Sequence, residues 1–204
     1  MHFSKTLTKK NIETRSFEKN IFLIGMMGAG KTTIGKSLAN YLSKVFVDSD
    51  HEIQLRTGVK IPLIFEIEGE AGFRKRETEV LHDLVKLDNI ILATGGGVIL
   101  SEENRQLLKQ NGIVIYLCAS VDELLRRTRT DKNRPLLQTE NQYARLTELL
   151  EQRDALYRNT ADIIIDSGKQ GIRSLVYKLI RKLRMFEMKQ QKMESLEHVN
   201  ESRL

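Results

Sequence analysis

Short apolar runs separated by helical periodicity dominate the chain from about residue 20 onward. Ile21-Phe22-Leu23-Ile24 is apolar at every position and ends in glycine, the pattern of a strand buried on both faces. Four further segments read as strands: Val45–Val47, Ile90–Ala93, Ile113–Leu117 and Asp162–Ile165. Between them, apolar residues recur at helical spacing, as at Ile34, Leu38, Ala39 and Leu42. The spacing predicts helices over about Lys31–Ser43, Asp50–Thr57, Gly69–Leu87, Glu102–Gln110, Val121–Thr130 and Gln142–Asn159, with a last helix from about Gly171. Strands alternating with helices imply an α/β fold: a five-stranded parallel sheet between two helical layers. A polar stretch from Thr130 to Asn141 interrupts the alternation and has the length of a mobile lid over a site. Beyond Leu183 the chain turns polar. Met185, Met188, Met193, Leu196 and Val199 stand loosely at helical spacing there, consistent with an added amphipathic helix or a weakly packed end.

The length, 204 residues, suits one such domain with short tails. The expected organisation is a disordered extension over 1–19, a folded body over 20–183 with a lid at about 128–141, and a polar tail over 184–204. The single cysteine, Cys118, lies in an apolar run and cannot close an internal disulfide, which fits a reducing compartment. No apolar run reaches the roughly 18 residues of a membrane span. The first twenty residues lack a secretory apolar core, and Glu13 and Glu18 argue against a transit peptide. A cytoplasmic protein is expected.

The formal net charge of +6 admits nucleic acid or small polyanions as partners. There are no paired Cys/His ligands and no aromatic RNA-binding pattern, so small anions are the better reading. Gly25-Met26-Met27-Gly28-Ala29-Gly30-Lys31-Thr32 makes it specific. It fits the phosphate-binding loop (P-loop) pattern, with a strand before it and a helix after it. Glycines let the backbone turn its N–H groups onto phosphate, and the helix N-terminus adds positive potential. Lys31 supplies a point charge to the β- and γ-phosphates, and the Thr32 hydroxyl suits Mg²⁺.

Asp48-Ser49-Asp50 follows the second strand. Carboxylates two apart on a strand end share a side, so both are expected to face the P-loop. One would support Mg²⁺ and its waters; the other would take a proton from an alcohol. A helix N-cap is the competing reading. Thr94-Gly95-Gly96-Gly97 ends the third strand on the same edge; it reads as a close backbone approach or a plain turn. Arg74, in a basic helical run, and Arg134 and Arg153 are individually unremarkable.

In combination the residues resemble the shikimate kinase family over about Asn20 to Leu183. The likeness rests on the P-loop with Ile34-Gly35 and Leu38-Ala39, on Asp48-Ser49-Asp50, and on Phe65 with Glu68-Gly69-Glu70. It continues through Phe73-Arg74, Gly95-Gly96-Gly97, Arg134-Pro135-Leu136-Leu137, and Arg153 with Leu156-Tyr157. The resemblance implies a P-loop kinase fold similar to nucleoside monophosphate kinases, acting as a monomer on shikimate with ATP and Mg²⁺, without nucleic acid or membrane. It implies that Gly28, Ala29, Gly30, Lys31, Thr32 and Thr33 cradle the ATP phosphates, with Thr32 and Asp48 at the metal. Asp50 would hold the shikimate hydroxyls and act as base. Arg74 and Arg153 would grip its carboxylate, and Gly96 would offer backbone. Arg134 would be the lid arginine that, with Lys31, neutralises the transferring phosphoryl group. Arg127 and Gln170 match positions near adenine. Ala155 departs from the family, which commonly has proline there; the change removes a backbone restraint near Arg153 but no functional group. The rival readings are another small P-loop kinase, for gluconate or a nucleoside monophosphate, and a non-catalytic ATP-binding module.

An arginine fork matches a carboxylate in two-point geometry that lysine cannot reproduce. Steady-state kinetics of Arg74→Lys should therefore show a markedly raised KM for shikimate and nearly unchanged ATP affinity. An unchanged shikimate KM would count against the carboxylate role.

Overall fold

The computed structural model describes residues 17–130 and 134–201. Five strands form one parallel sheet: β1 (Asn20–Ile24), β2 (Val45–Asp48), β3 (Ile90–Ala93), β4 (Gly112–Cys118) and β5 (Ile163–Asp166), in the order β2-β3-β1-β4-β5. Central β1 is buried along its whole length, as its unbroken apolar run requires. Ile21 sits beside Ile91 on one side and Ile113 on the other. β2 is an edge strand, and its Val45 is 60% exposed. The helices are α1 (Lys31–Leu42), α2 (Ser49–Thr57), α3 (Ile61–Leu84), α4 (Glu102–Asn111), α5 (Val121–Thr128), α6 (Gln142–Thr160) and α7 (Ile172–Glu201). The core is Ile, Leu, Val, Phe and Met packed on both faces of the sheet. The chain winds left from β1 to β2 and β3, then right to β4 and β5. The strand order thus reverses beside β1, where a crevice opens at the carboxyl ends of the strands.

Several boundaries differ from expectation. α3 begins eight residues early, at Ile61. Pro62 in its first turn is the starting signal, since proline there fixes φ and gives up an N–H that would be unpaired anyway. The helix then kinks at Gly69, whose φ of 70° and ψ of −177° lie in a region only glycine occupies readily. The periodicity is broken there, so only the part of the helix after Gly69 was legible. Asp50 belongs to the first turn of α2, not to a strand end. The alternation argument for the two aspartates therefore does not apply, although both reach the crevice. The competing N-cap reading holds for Asp48, whose carboxylate accepts from the N–H groups of Asp50 and His51.

Residues 1–16, most of the expected disordered extension, lie outside the described residues. Phe17, within the range given to that extension, is buried in the core at 4% exposure. In the expected lid, Thr128 closes α5 and is buried, Leu137 is buried in a 3-10 turn at Pro135–Leu137, and residues 131–133 lie outside the described residues. The C-terminal segment continues α7 as helix to Glu201, with Met185, Met188, Met193 and Leu196 exposed. α6 passes through Ala155 without a break, as expected where a good helix former replaces proline.

Candidate active site

The phosphate end is built by backbone. β1 delivers the chain into the loop, and Gly28 (φ 80°) and Gly30 (φ 95°) take left-handed conformations that side chains resist. α1 starts directly at Lys31, so the free N–H groups of its first turn face the crevice. The Lys31 ammonium donates to the carbonyls of Gly25 (2.6 Å) and Met26 (2.9 Å). Burial, with the Arg134 guanidinium nearby, lowers its pKa to about 8. Ala29 is fully buried, while Thr32 and Thr33 are exposed at the mouth.

Thr32 Oγ1 donates to Asp48 Oδ2 at 2.8 Å. The other oxygen of Asp48 caps α2. Two hard oxygens meeting at the phosphate end fit Mg²⁺, which takes one or two protein ligands and keeps the rest as water and phosphate. Among the described residues, no group of three His, Cys, Asp or Glu could hold a metal on its own.

A cavity of about 930 Å³ runs along this edge. Gly28, Gly30, Lys31, Thr32, Thr33, Asp48, Asp50, Gly96, Arg127 and Arg134 line it, bringing together most of the residues marked in the sequence. Arg134 Nη1 lies 3.7 Å from Asp50 Oδ2, so the lid arginine and the aspartate meet across the cavity. Arg127 lies at the far wall. It donates to the carbonyls of Gly28 and Ala29 and to those of Ser167 and Gly168, tying the P-loop to the β5–α7 connection. Gln170 is exposed in that connection, bonded to the Asp166 carbonyl, and does not line the cavity.

Arg74 and Arg153 do not line it either; they pack against the glycine loop. Arg74 Nη1 donates to Glu77 (2.8 Å), and its Nε and Nη2 donate to Glu70 (3.2 and 2.7 Å). A Cβ on Gly97 would lie 2.1 Å from Arg74 Nη1. A Cβ on Gly95 would lie 2.4 Å from Glu77 Oε1 and 2.8 Å from Asp50 Oδ1. A side chain at either position would have to displace the charged ends of Arg74, Glu77 or Asp50; neither glycine has a positive φ. Arg153 is 2% exposed and donates to the Gly96 carbonyl at 3.3 Å. Asp50 Oδ1, Glu77 Oε1 and Arg153 Nε are buried and have no protein partner.

Glu77 escaped the sequence reading. It stands in Arg74-Lys75-Arg76-Glu77, which reads as a solvated charged face, yet it is 1% exposed. Its one signal is the i, i+3 spacing from Arg74. Burial, partly offset by Arg74, raises its carboxyl to about 7. Burial, and next the charge on Asp48, also raises Asp50 above the ordinary carboxylate range.

The shikimate kinase family model matches residues 27–184. The chain belongs to the shikimate kinase family. A shikimate kinase of Nitrosomonas europaea is 66% identical over 184 residues, 90% of this chain and 87% of that protein. Among solved structures, a shikimate kinase from Acinetobacter baumannii in complex with shikimate is 50% identical, with a TM-score of 0.82 over 83% of this chain and 95% of that one. A gluconokinase from Sinorhizobium meliloti, at 15% identity and a TM-score of 0.56 over 87% of this chain and 99% of that one, shares the fold alone. These likenesses bear out the P-loop kinase fold and single out shikimate kinase from the rival kinases. No helix among the described residues of this family member is long and apolar enough to cross a membrane.

The raised Glu77 carboxyl gives a stability prediction. The folded chain holds this proton more tightly than the unfolded chain, where glutamate titrates near its ordinary 4.5. Its contribution to stability is therefore largest below that value and falls as pH rises toward about 7. Urea unfolding between about pH 5 and about pH 8 should show the parent losing stability relative to Glu77→Gln. Parallel pH dependence in both proteins would contradict the buried, proton-retaining state of Glu77.

Proposed function

We propose that this chain transfers the γ-phosphoryl group of ATP to the 3-hydroxyl of shikimate, using the residues gathered at the sheet edge. The observation that carries the reading is the buried set around the glycine loop. Two guanidiniums, Arg74 and Arg153, and two carboxylates, Asp50 and Glu77, meet three glycines there beside the cavity, and one polar atom on each of Asp50, Glu77 and Arg153 has no partner within the protein. Shikimate is a small carboxylate with three hydroxyls. Its carboxylate suits Arg74 and Arg153, its hydroxyls suit Asp50, and Gly96 contributes backbone.

On the donor side, the N–H groups of Gly28 to Thr33 and the Lys31 ammonium hold the triphosphate. Arg127 and Gln170 stand toward the adenine end; the cavity wall supports this for Arg127, while for Gln170 only the family likeness does. Thr32 and Asp48 would hold Mg²⁺, which would supply positive charge to offset that of the phosphates. Asp50 accepts the proton of the attacking hydroxyl as the new O–P bond forms and the bond to ADP breaks. Arg134, 3.7 Å from Asp50, is placed to follow the charge on the transferring group. Closure of the segment around Arg134 would exclude water, which otherwise competes for the phosphoryl group.

The same reading places the enzyme in the cytoplasm, in aromatic amino acid biosynthesis, acting without nucleic acid or membrane. It also takes the enzyme to act as a monomer, as the family likeness implies.

Asp50→Asn keeps the shape of the side chain and removes the base. Its kcat should fall by roughly 10²- to 10⁴-fold with ATP affinity retained. A loss smaller than about tenfold would contradict the base role.

A further inference from the structure

Tyr157 belongs to a motif that the proposed chemistry leaves unused. It lies on α6, one helical turn beyond Arg153, and is completely buried. Its hydroxyl donates to the Gly96 carbonyl and lies 3.8 Å from the sulfur of Met26 in the P-loop. Burial holds the phenol well above its ordinary pKa, so it stays a donor. Its ring stacks on Tyr116 of β4, with centroids 4.8 Å apart and planes 19° from parallel. Tyr116 is anchored in turn by donating to Asp154, which also accepts from Arg158. The Tyr157 ring therefore has a fixed seat that does not depend on its hydroxyl.

Three successive glycines impose almost no steric limit on their own backbone, so external bonds must set their orientation. Gly95 is held from both ends: its N–H donates to Ser49 Oγ at 3.0 Å, and its carbonyl accepts from Val98. The Gly97 carbonyl accepts from Leu100. The Gly96 carbonyl, by contrast, is held by side chains of α6, those of Tyr157 and Arg153. A peptide group is planar and rigid, so fixing this carbonyl also fixes the opposed N–H of Gly97. Arg153 shares the same oxygen, so its guanidinium is registered to the loop through that atom.

We propose that Tyr157 is a positioning residue for the acceptor: its hydroxyl locks the Gly96–Gly97 peptide and, through the shared carbonyl, registers Arg153 against the glycine loop. The inference rests on the assignment of Gly96 and Arg153 to the acceptor site. It predicts an effect on the acceptor and not on the nucleotide, because the short bond of Tyr157 goes to the glycine loop, while its bond to the P-loop is a long, weak one to the Met26 sulfur and reaches no phosphate-binding group.

Tyr157→Phe preserves the ring, its stack and its burial and removes one O–H. In steady-state kinetics the KM for shikimate should rise roughly tenfold, the scale of one well-formed buried hydrogen bond, with the KM for ATP unchanged within about twofold. Tyr116→Phe removes the neighbouring hydroxyl, which reaches Asp154 and not the loop. It should leave both KM values unchanged while lowering the unfolding temperature about as much as Tyr157→Phe does. Equal shifts in both KM values for Tyr157→Phe, no shift in either, or the same kinetic change in Tyr116→Phe would each overturn the positioning role. Arg153→Lys separates this failure from that of the site assignment. A raised shikimate KM in Arg153→Lys beside an unaffected Tyr157→Phe sinks only the role of Tyr157. An unaffected Arg153→Lys sinks the acceptor-site reading on which that role rests.

Discussion

The proposed acceptor half of this kinase depends on packing four ionisable side chains, two of them fully buried, against a loop that has no side chains of its own. Asp50, Glu77 and Arg74 crowd Gly95 and Gly97 so closely that a single methyl there would meet the ends of their side chains, and Arg153 bonds the Gly96 carbonyl between them. Buried charges are tolerated when they are paired, and losing one partner of such a set typically costs about 3–5 kcal/mol. Here the pairing is incomplete within the protein, since one oxygen on each carboxylate and the Nε of Arg153 are unmatched. A ligand carrying both a carboxylate and hydroxyls complements such a set in a way that a nucleotide or a neutral sugar does not. Glycine in this loop leaves room for those charged side-chain ends, and the resulting backbone freedom is restrained by bonds arriving from α2, α6 and the turn that follows.

Donor and acceptor halves are joined by two aspartates on adjacent elements. Asp48 ends β2, caps α2 with one oxygen and takes the Thr32 hydroxyl with the other, so the phosphate end and the start of α2 share one carboxylate. That cap sets the first turn of α2, which carries Asp50 into the cavity toward Arg134. The parallel sheet makes this economy possible, because β1, β2 and β3 all deliver their carboxyl ends to the same edge.

Much of this was legible in the sequence, and what was not has identifiable causes. The inner strands are continuous apolar runs, and the part-exposed edge strands β2 and β5 are short apolar runs too, so all five were readable; the P-loop announces itself because its glycine spacing serves one backbone shape. The first third of α3 was hidden by the break at Gly69, although Pro62 marked its start. Asp48 and Asp50 were recognised as site residues for a partly wrong geometric reason: a helix turn, not strand alternation, presents Asp50. Glu77 was invisible because a glutamate after Arg-Lys-Arg looks solvated, and only tertiary packing reveals that its face of α3 meets the glycine loop. Tyr157 was visible as a motif residue, but its bond to Gly96 spans 61 residues of sequence and no local pattern encodes it.

The most direct measurement is coupled ADP release with ATP and Mg²⁺, in the presence of shikimate, gluconate or AMP in parallel. The account predicts strong stimulation by shikimate and none above background by the other two, since only shikimate offers a carboxylate to Arg74 and Arg153 together with ring hydroxyls to Asp50. Absence of stimulation by shikimate, or equal stimulation by gluconate or AMP, would contradict the acceptor site and leave only the fold and the phosphate loop standing.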